Sequence, residues 1–126
     1  MNEEKQQVLT ILHTLYRKVP AYYRGKEYLV AQNTICYIES MDKKTLLHTS
    51  DGACYEAMLW LYQLEQQLND DFIRISKAVI VNVMHIESMQ AELGSRILLY
   101  LDNGKELLVT RTYAKALKQK LKGGSK

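Results

Sequence analysis

The chain is poor in the residues that interrupt folds or staple them. One proline, one tryptophan, one phenylalanine, two cysteines and six glycines are spread over 126 residues. So little proline and glycine beside 47% hydrophobic residues excludes a disordered or low-complexity chain. No run approaches the ~18 apolar residues that a membrane-spanning helix needs, and MNEEKQQV opens with acids, unlike a secretory signal. A soluble, cytoplasmic protein with no membrane partner is the expectation. Cys36 and Cys54 lack the CxxC or Cys/His spacing of a zinc site, and both are expected to be reduced and buried. A phosphate-cradling glycine loop and a nucleophile elbow are missing too. No enzyme is expected, hence no catalytic residue, metal or cofactor.

What the chain does have is a one-sided charge. Residues 1–104 carry ten Lys/Arg against thirteen Asp/Glu, whereas residues 105–126 carry seven Lys/Arg and a single acid, leaving a net charge of +3. Lys105, Arg111, Lys115, Lys118, Lys120, Lys122 and Lys126 form a basic end whose sign suits nucleic acid or an acidic membrane surface. A solvated helix with a lysine tail would have the same composition. The length fits one domain with its own core.

Apolar residues at Val8, Leu9, Ile11, Leu12, Leu15 and Tyr16 predict an amphipathic helix or linker over 1–18, before Pro20. It could be a linker, a strap on the domain or a dimerisation surface. Hairpins are expected around Arg24-Gly25-Lys26 and Asp51-Gly52, and a polar turn at Met41-Asp42-Lys43-Lys44 between strands at 35–39 and 45–50. Met58, Leu59, Leu61, Tyr62, Leu64, Glu65 and Leu68 predict a second, amphipathic helix, ended by Asn69-Asp70-Asp71. Strands are expected at 72–75, 79–83, 86–89, 96–101 and 106–110, and a basic helix at 111–122. Nine or ten short strands with at most three helices make a mainly β domain of meandering hairpins.

The stretch LNDDFIRISKAVIVN, residues 68–82, stands out. A basic island of Arg74, Ser76 and Lys77 interrupts β-branched and aromatic residues, so a short loop presents a cation from a rigid edge. Arg74 points across its strand, toward phosphate or toward Asp71. His13, His48 and His85 are dispersed without a partner at a telling spacing, and turn chemistry accounts for Asp70-Asp71. Tyr113 reads as a core residue with a wet hydroxyl, and Asn82 as a satisfier of backbone groups at its turn.

Four motifs in order carry a resemblance: ICYIES at 35–40, LHTSDG at 47–52, LYQLEQQLNDDFIRISKAVIVN at 61–82 and LYLDNGKELLVTRTYAKALK at 99–118. Together they resemble a LytTR-type DNA-binding domain, the output domain of many bacterial two-component response regulators, over residues 19–121, with 122–126 as a flexible basic tail. The resemblance implies an elongated, mainly β domain of about ten short strands that binds double-stranded DNA as a transcription regulator. Its loops, not a recognition helix, enter successive grooves, and pairs of domains, as a homodimer on DNA, occupy direct repeats.

Carried over by residue, the resemblance assigns DNA contact to Lys43 and Lys44 after YIES, to Ser76 and Lys77 in the island, and to Arg111 and Thr112 after the last strand. Arg74 and Lys115 join them as flanking cations. Glu39 is structural, holding a loop cation. Ser76 stands where the family commonly has histidine, Ala78 where it has serine and Thr112 where it often has a second arginine. Lys77 and Arg111 keep the charge that positions phosphate, while the base-reading chemistry differs. The alternative is a protein-interaction module on a β scaffold, with a basic surface and no sequence-specific DNA readout.

Overall fold

Hydrophobic alternation and local turn chemistry build ten strands in two antiparallel sheets. The computed structural model describes residues 18–123, so the helix expected over the first 18 residues falls almost wholly outside the described residues. Strands β1 (Lys18–Tyr23) and β2 (Lys26–Ala31) form a hairpin whose tip, Arg24-Gly25, has φ values of 50° and 80°. Strands β3 (Ile35–Met41) and β4 (Lys44–Thr49) follow, joined by Asp42-Lys43, and β5 is Cys54–Ala57. Helix α1 (Leu61–Gln67) leads to β6 (Phe72–Arg74) and β7 (Val79–Asn82). Strands β8 (Ile86–Glu92), β9 (Arg96–Leu101) and β10 (Glu106–Val109) precede helix α2 (Arg111–Gly123). One sheet runs β2-β1-β5-β4-β3-β7-β6 and the other β10-β9-β8.

Two cores lie against the central strands. Register pairs Ile38 with Ile80 and Tyr37 with Val81, so alternate residues of β3 and β7 serve different cores. Ile38, Ile80 and Leu47 pack with Leu61 and Leu64 of α1. Tyr37 and Val81 join Leu99 and Leu101 of β9, Leu107 and Val109 of β10, and Ala114 and Leu117 of α2. Truncating a fully buried leucine such as Leu64 or Leu117 to alanine would cost about 2–5 kcal/mol.

Polar side chains close the junctions. Asn82 is buried; its amide donates to the Ile35 carbonyl at 2.9 Å and its side-chain oxygen accepts from the Met84 N–H at 3.0 Å. Buried Gln32 accepts from the Asn69 N–H at 3.0 Å, fixing the chain after α1.

Three expectations need correction. The second helix starts at Leu61, not Met58, because the Met58 N–H donates to the Pro20 carbonyl at 3.2 Å and keeps the chain extended. The Trp60 N–H is then satisfied by the Gln63 side-chain oxygen at 2.8 Å, half of a capping box. Strand β8 runs to Glu92, well past Met89, because β9 pairs with it over its full length down to Arg96. Cys54 is exposed rather than buried, on the outward phase of β5 with Glu56; only Cys36 is buried, and both are free thiols.

Candidate nucleic-acid interface

The island loop is tied at both ends to the other two loops singled out by sequence. Strand β6 ends at Arg74, and the Ile75 N–H donates to the Val79 carbonyl at 3.0 Å, leaving Ser76-Lys77-Ala78 as the connection to β7. On one side the Ser40 N–H donates to the Ala78 carbonyl at 2.8 Å, near the Asp42-Lys43 turn. On the other the Thr110 N–H donates to the Ile75 carbonyl at 3.0 Å, directly before Arg111 opens α2. The β3–β4 turn, the β6–β7 loop and the start of α2 therefore share one end of the strands. This juxtaposition comes entirely from pairing between distant segments.

Each candidate side chain has a definite setting there. Lys43, Lys77, Arg111, Thr112 and Lys115 are exposed, and the charged ends of Lys43, Lys77, Arg111 and Lys115 make no ion pair with a described residue. Lys44 is exposed, with its ammonium 4.0 Å from a Glu56 carboxylate oxygen; so long and solvated a pair leaves the lysine free to find another partner. Ser76 is half-buried, and its hydroxyl oxygen accepts from the Ala78 N–H at 3.3 Å, which tightens the loop around Lys77. Tyr113 packs against the core of β9, β10 and α2.

Arg74 is turned inward onto the loop. Its Nε donates to the Ser76 carbonyl at 2.9 Å, one Nη donates to the Lys77 carbonyl, and the other lies 2.6 Å from a Glu65 carboxylate oxygen on α1. The guanidinium thus closes the carbonyls of the loop that displays Lys77, anchored by Glu65 and not by Asp71. Sequence placed Glu65 on the helix but did not link it to Arg74, since helix and strand meet only in the folded chain. Arg111 and Lys77 carry the outward charge.

Glu39 holds a histidine rather than a loop lysine. Its carboxylate lies 2.6 Å from His48 Nε2, and the imidazole stacks on Tyr37 with ring centroids 4.3 Å apart and planes 10° from parallel. Burial, reinforced by the Glu39 charge, pushes the Tyr37 hydroxyl up to about 12, so it stays neutral. Burial likewise raises the Cys36 thiol to about 11, with the charges of Asp102 and Asp51 adding to it.

Comparison with known proteins bears on the fold and the family. Residues 25–122 match the family model of the LytTr DNA-binding domain. Transcriptional regulators of Staphylococcus aureus, from strains NCTC 8325 and MRSA252, named as uncharacterized and HTH-type, are 28% identical over 123 residues, which is 96% of this chain and 83% of theirs. A solved LytTr DNA-binding domain from a methyl-accepting/DNA response regulator of Bacillus cereus superimposes with a TM-score of 0.78 at 29% identity, covering 83% of this chain and 96% of that one. No two described helices are consecutive here: α1 and α2 are separated by five strands, so the described residues contain no helix-turn-helix. A DNA-binding match over residues 25–122, on a ten-stranded fold shared with a solved relative, makes this chain a member of the LytTR DNA-binding domain family.

Proposed function

We propose that the domain binds double-stranded DNA sequence-specifically as a bacterial transcription regulator, inserting three loops into successive grooves. The observation that carries this reading is the convergence of the Asp42-Lys43 turn, the Ser76–Ala78 loop and the start of α2 on one end of the strands. Three exposed cations, Lys43, Lys77 and Arg111, project from rigid backbone there, which limits the ordering cost of contacting a polyanion.

The roles divide by chemistry. Lys77 is a point charge on a short braced loop and suits phosphate. Arg111 opens α2, whose first amides favour the same phosphate, while its planar fork can also reach guanine edges. Ser76 and Thr112 offer hydroxyls that accept or donate to several base edges, so they read sequence weakly. Lys44 and Lys115 add field, and Arg74 positions the loop. Two copies on a direct repeat would place the same loops one helical turn apart.

Selection of bound sequences from a random duplex pool, read at two salt concentrations, tests the reading. The expected result is an enriched direct repeat whose half-sites lie about one helical turn apart. Binding without enrichment, with only a steep salt dependence, overturns sequence-specific readout and favours the protein-interaction module.

A further inference from the structure

Three side chains from distant stretches of sequence meet where the two sheets join. Register between β3 and β4 shifts between Ile35 and Tyr37, so consecutive Cys36 and Tyr37 enter the same core instead of opposite ones. His85 ends the 3-10 turn Val83–His85 after β7. Asp102 follows β9 directly, and its N–H donates to the His85 carbonyl at 2.9 Å. One donor atom from each side chain, the Cys36 sulfur, a His85 ring nitrogen and an Asp102 carboxylate oxygen, lies within 4.8 Å of the other two.

The hydrogen bonds of His85 show what the space between them requires. Nε2 lies 2.8 Å from the Asn33 carbonyl, which only accepts, so Nε2 carries a hydrogen. Nδ1 lies 3.1 and 3.0 Å from the two carboxylate oxygens of Asp102. A bare lone pair facing a carboxylate is repulsive, so a positive species belongs between them, either a proton on Nδ1 or a metal cation. A cation would use Nδ1 as its ligand. The Nε2–H···O=C bond to Asn33 is then the outer-shell contact that orients a metal-bound imidazole and raises its basicity.

We propose that Cys36, His85 and Asp102 form a three-ligand site for a borderline-soft divalent cation of the zinc class, with solvent as the fourth ligand. Sulfur, nitrogen and oxygen donors together match zinc better than magnesium or calcium, which take oxygen alone. Ligand bonds of about 2.0–2.3 Å in a tetrahedron separate donors by roughly 3.3–3.8 Å, a range that falls between the 3.0 Å from Nδ1 to Asp102 and the 4.8 Å within which all three donors lie. The half-exposed Asp102 side chain gives the ion a route from solvent to the buried sulfur. On binding, the thiol and any Nδ1 hydrogen leave to solvent as protons. Cys36 sits near the start of β3 and the Lys43 turn beyond its end, about 15–20 Å away along the strand. The cation would pin the junction of the two sheets without touching the DNA-facing loops.

The test is a titration of the metal-free full chain with cobalt(II) as spectroscopic probe, followed by zinc displacement and thermal unfolding. Expected are a thiolate-to-cobalt charge-transfer band saturating at one equivalent, its loss on adding zinc, and a rise in Tm with zinc. Asp102→Asn and His85→Gln should weaken cobalt binding at least tenfold, Cys36→Ser should abolish the band, and Cys54→Ser should keep it. Asp102→Asn changes an exposed position, and its far-ultraviolet dichroism checks folding. The absence of a charge-transfer band in the wild type, a band that follows Cys54, or unchanged affinity in folded Asp102→Asn overturns the site and leaves a proton between His85 and Asp102.

Discussion

Arg74 and Glu65 are joined across α1 and β6 at 2.6 Å, and the rest of the guanidinium closes the carbonyls of Ser76 and Lys77. The pair is partly solvated, so its direct worth is small, about 0.5–1 kcal/mol, while the two carbonyl bonds depend on Arg74 alone. Arg74→Ala should cost about 1–2 kcal/mol of stability in urea unfolding, and Glu65→Gln less than 1. DNA affinity should fall in Arg74→Ala because the loop loosens, with the salt slope unchanged. A slope reduced by about one unit would instead make Arg74 a phosphate contact.

The β3–β4 turn stores strain where the charge is displayed. Asp42 and Lys43 both have positive φ, 52° and 64°, in a turn whose preferred sequences put glycine second. A non-glycine residue there costs on the order of 1 kcal/mol. Lys43→Gly should therefore raise stability by about 0.5–1 kcal/mol while weakening DNA binding and lowering the salt slope by about one unit. Calorimetry and a salt-dependent binding titration on the same preparation check both signs together. Equal affinity at all salt concentrations would remove Lys43 from the interface.

Legibility in the sequence followed the range of the interaction that fixed each feature. Arg24-Gly25 set its turn with neighbouring residues, and β9 was bounded correctly at Arg96 and Leu101, whereas Asp51-Gly52, expected as a two-residue hairpin returning at Ala53, lies in a four-residue connection, 50–53, with β5 starting at Cys54. The start of α1 was misread because the deciding contact, Met58 with Pro20, spans distant strands. Cys54 was misplaced because strand phase at a turn depends on register with His48. The basic island was visible as composition, but its bracing by Glu65 and its junction with Thr110 were not. Cys36, His85 and Asp102 show no spacing pattern at all, since three separate elements and a register shift bring them together.

The loop after β4 makes stability sensitive to acid. The Asp51 carboxylate accepts from the Thr49 hydroxyl at 2.6 Å and the Ala53 N–H at 3.0 Å, and these bonds, the hydroxyl's first, hold its pKa below the ordinary aspartate value. Because the folded value is depressed, the contribution is complete above about pH 4 and lost as pH falls through the folded value. Asp51→Asn keeps an acceptor oxygen but has nothing to titrate. Its urea midpoint should drop less than the wild type's between pH 5 and pH 2.5. Parallel drops in the two proteins would show that Asp51 does not govern the acid limb.

Thr112 tests the division between phosphate positioning and base reading. It is exposed, one residue after Arg111 in the first turn of α2. An arginine there sits unfavourably at a helix N-terminus and should cost about 0.3–1 kcal/mol of stability. In exchange Thr112→Arg gains a fork that grips guanine through two hydrogen bonds, worth about 1–3 kcal/mol of discrimination at one base pair. The selected site of the variant should acquire a guanine preference at one position that the wild type lacks, while positions read by the other loops stay the same. Tighter binding with a steeper salt slope but no change in the selected sequence would confine the start of α2 to the phosphate backbone, leaving base reading to the loops at Lys43 and Lys77.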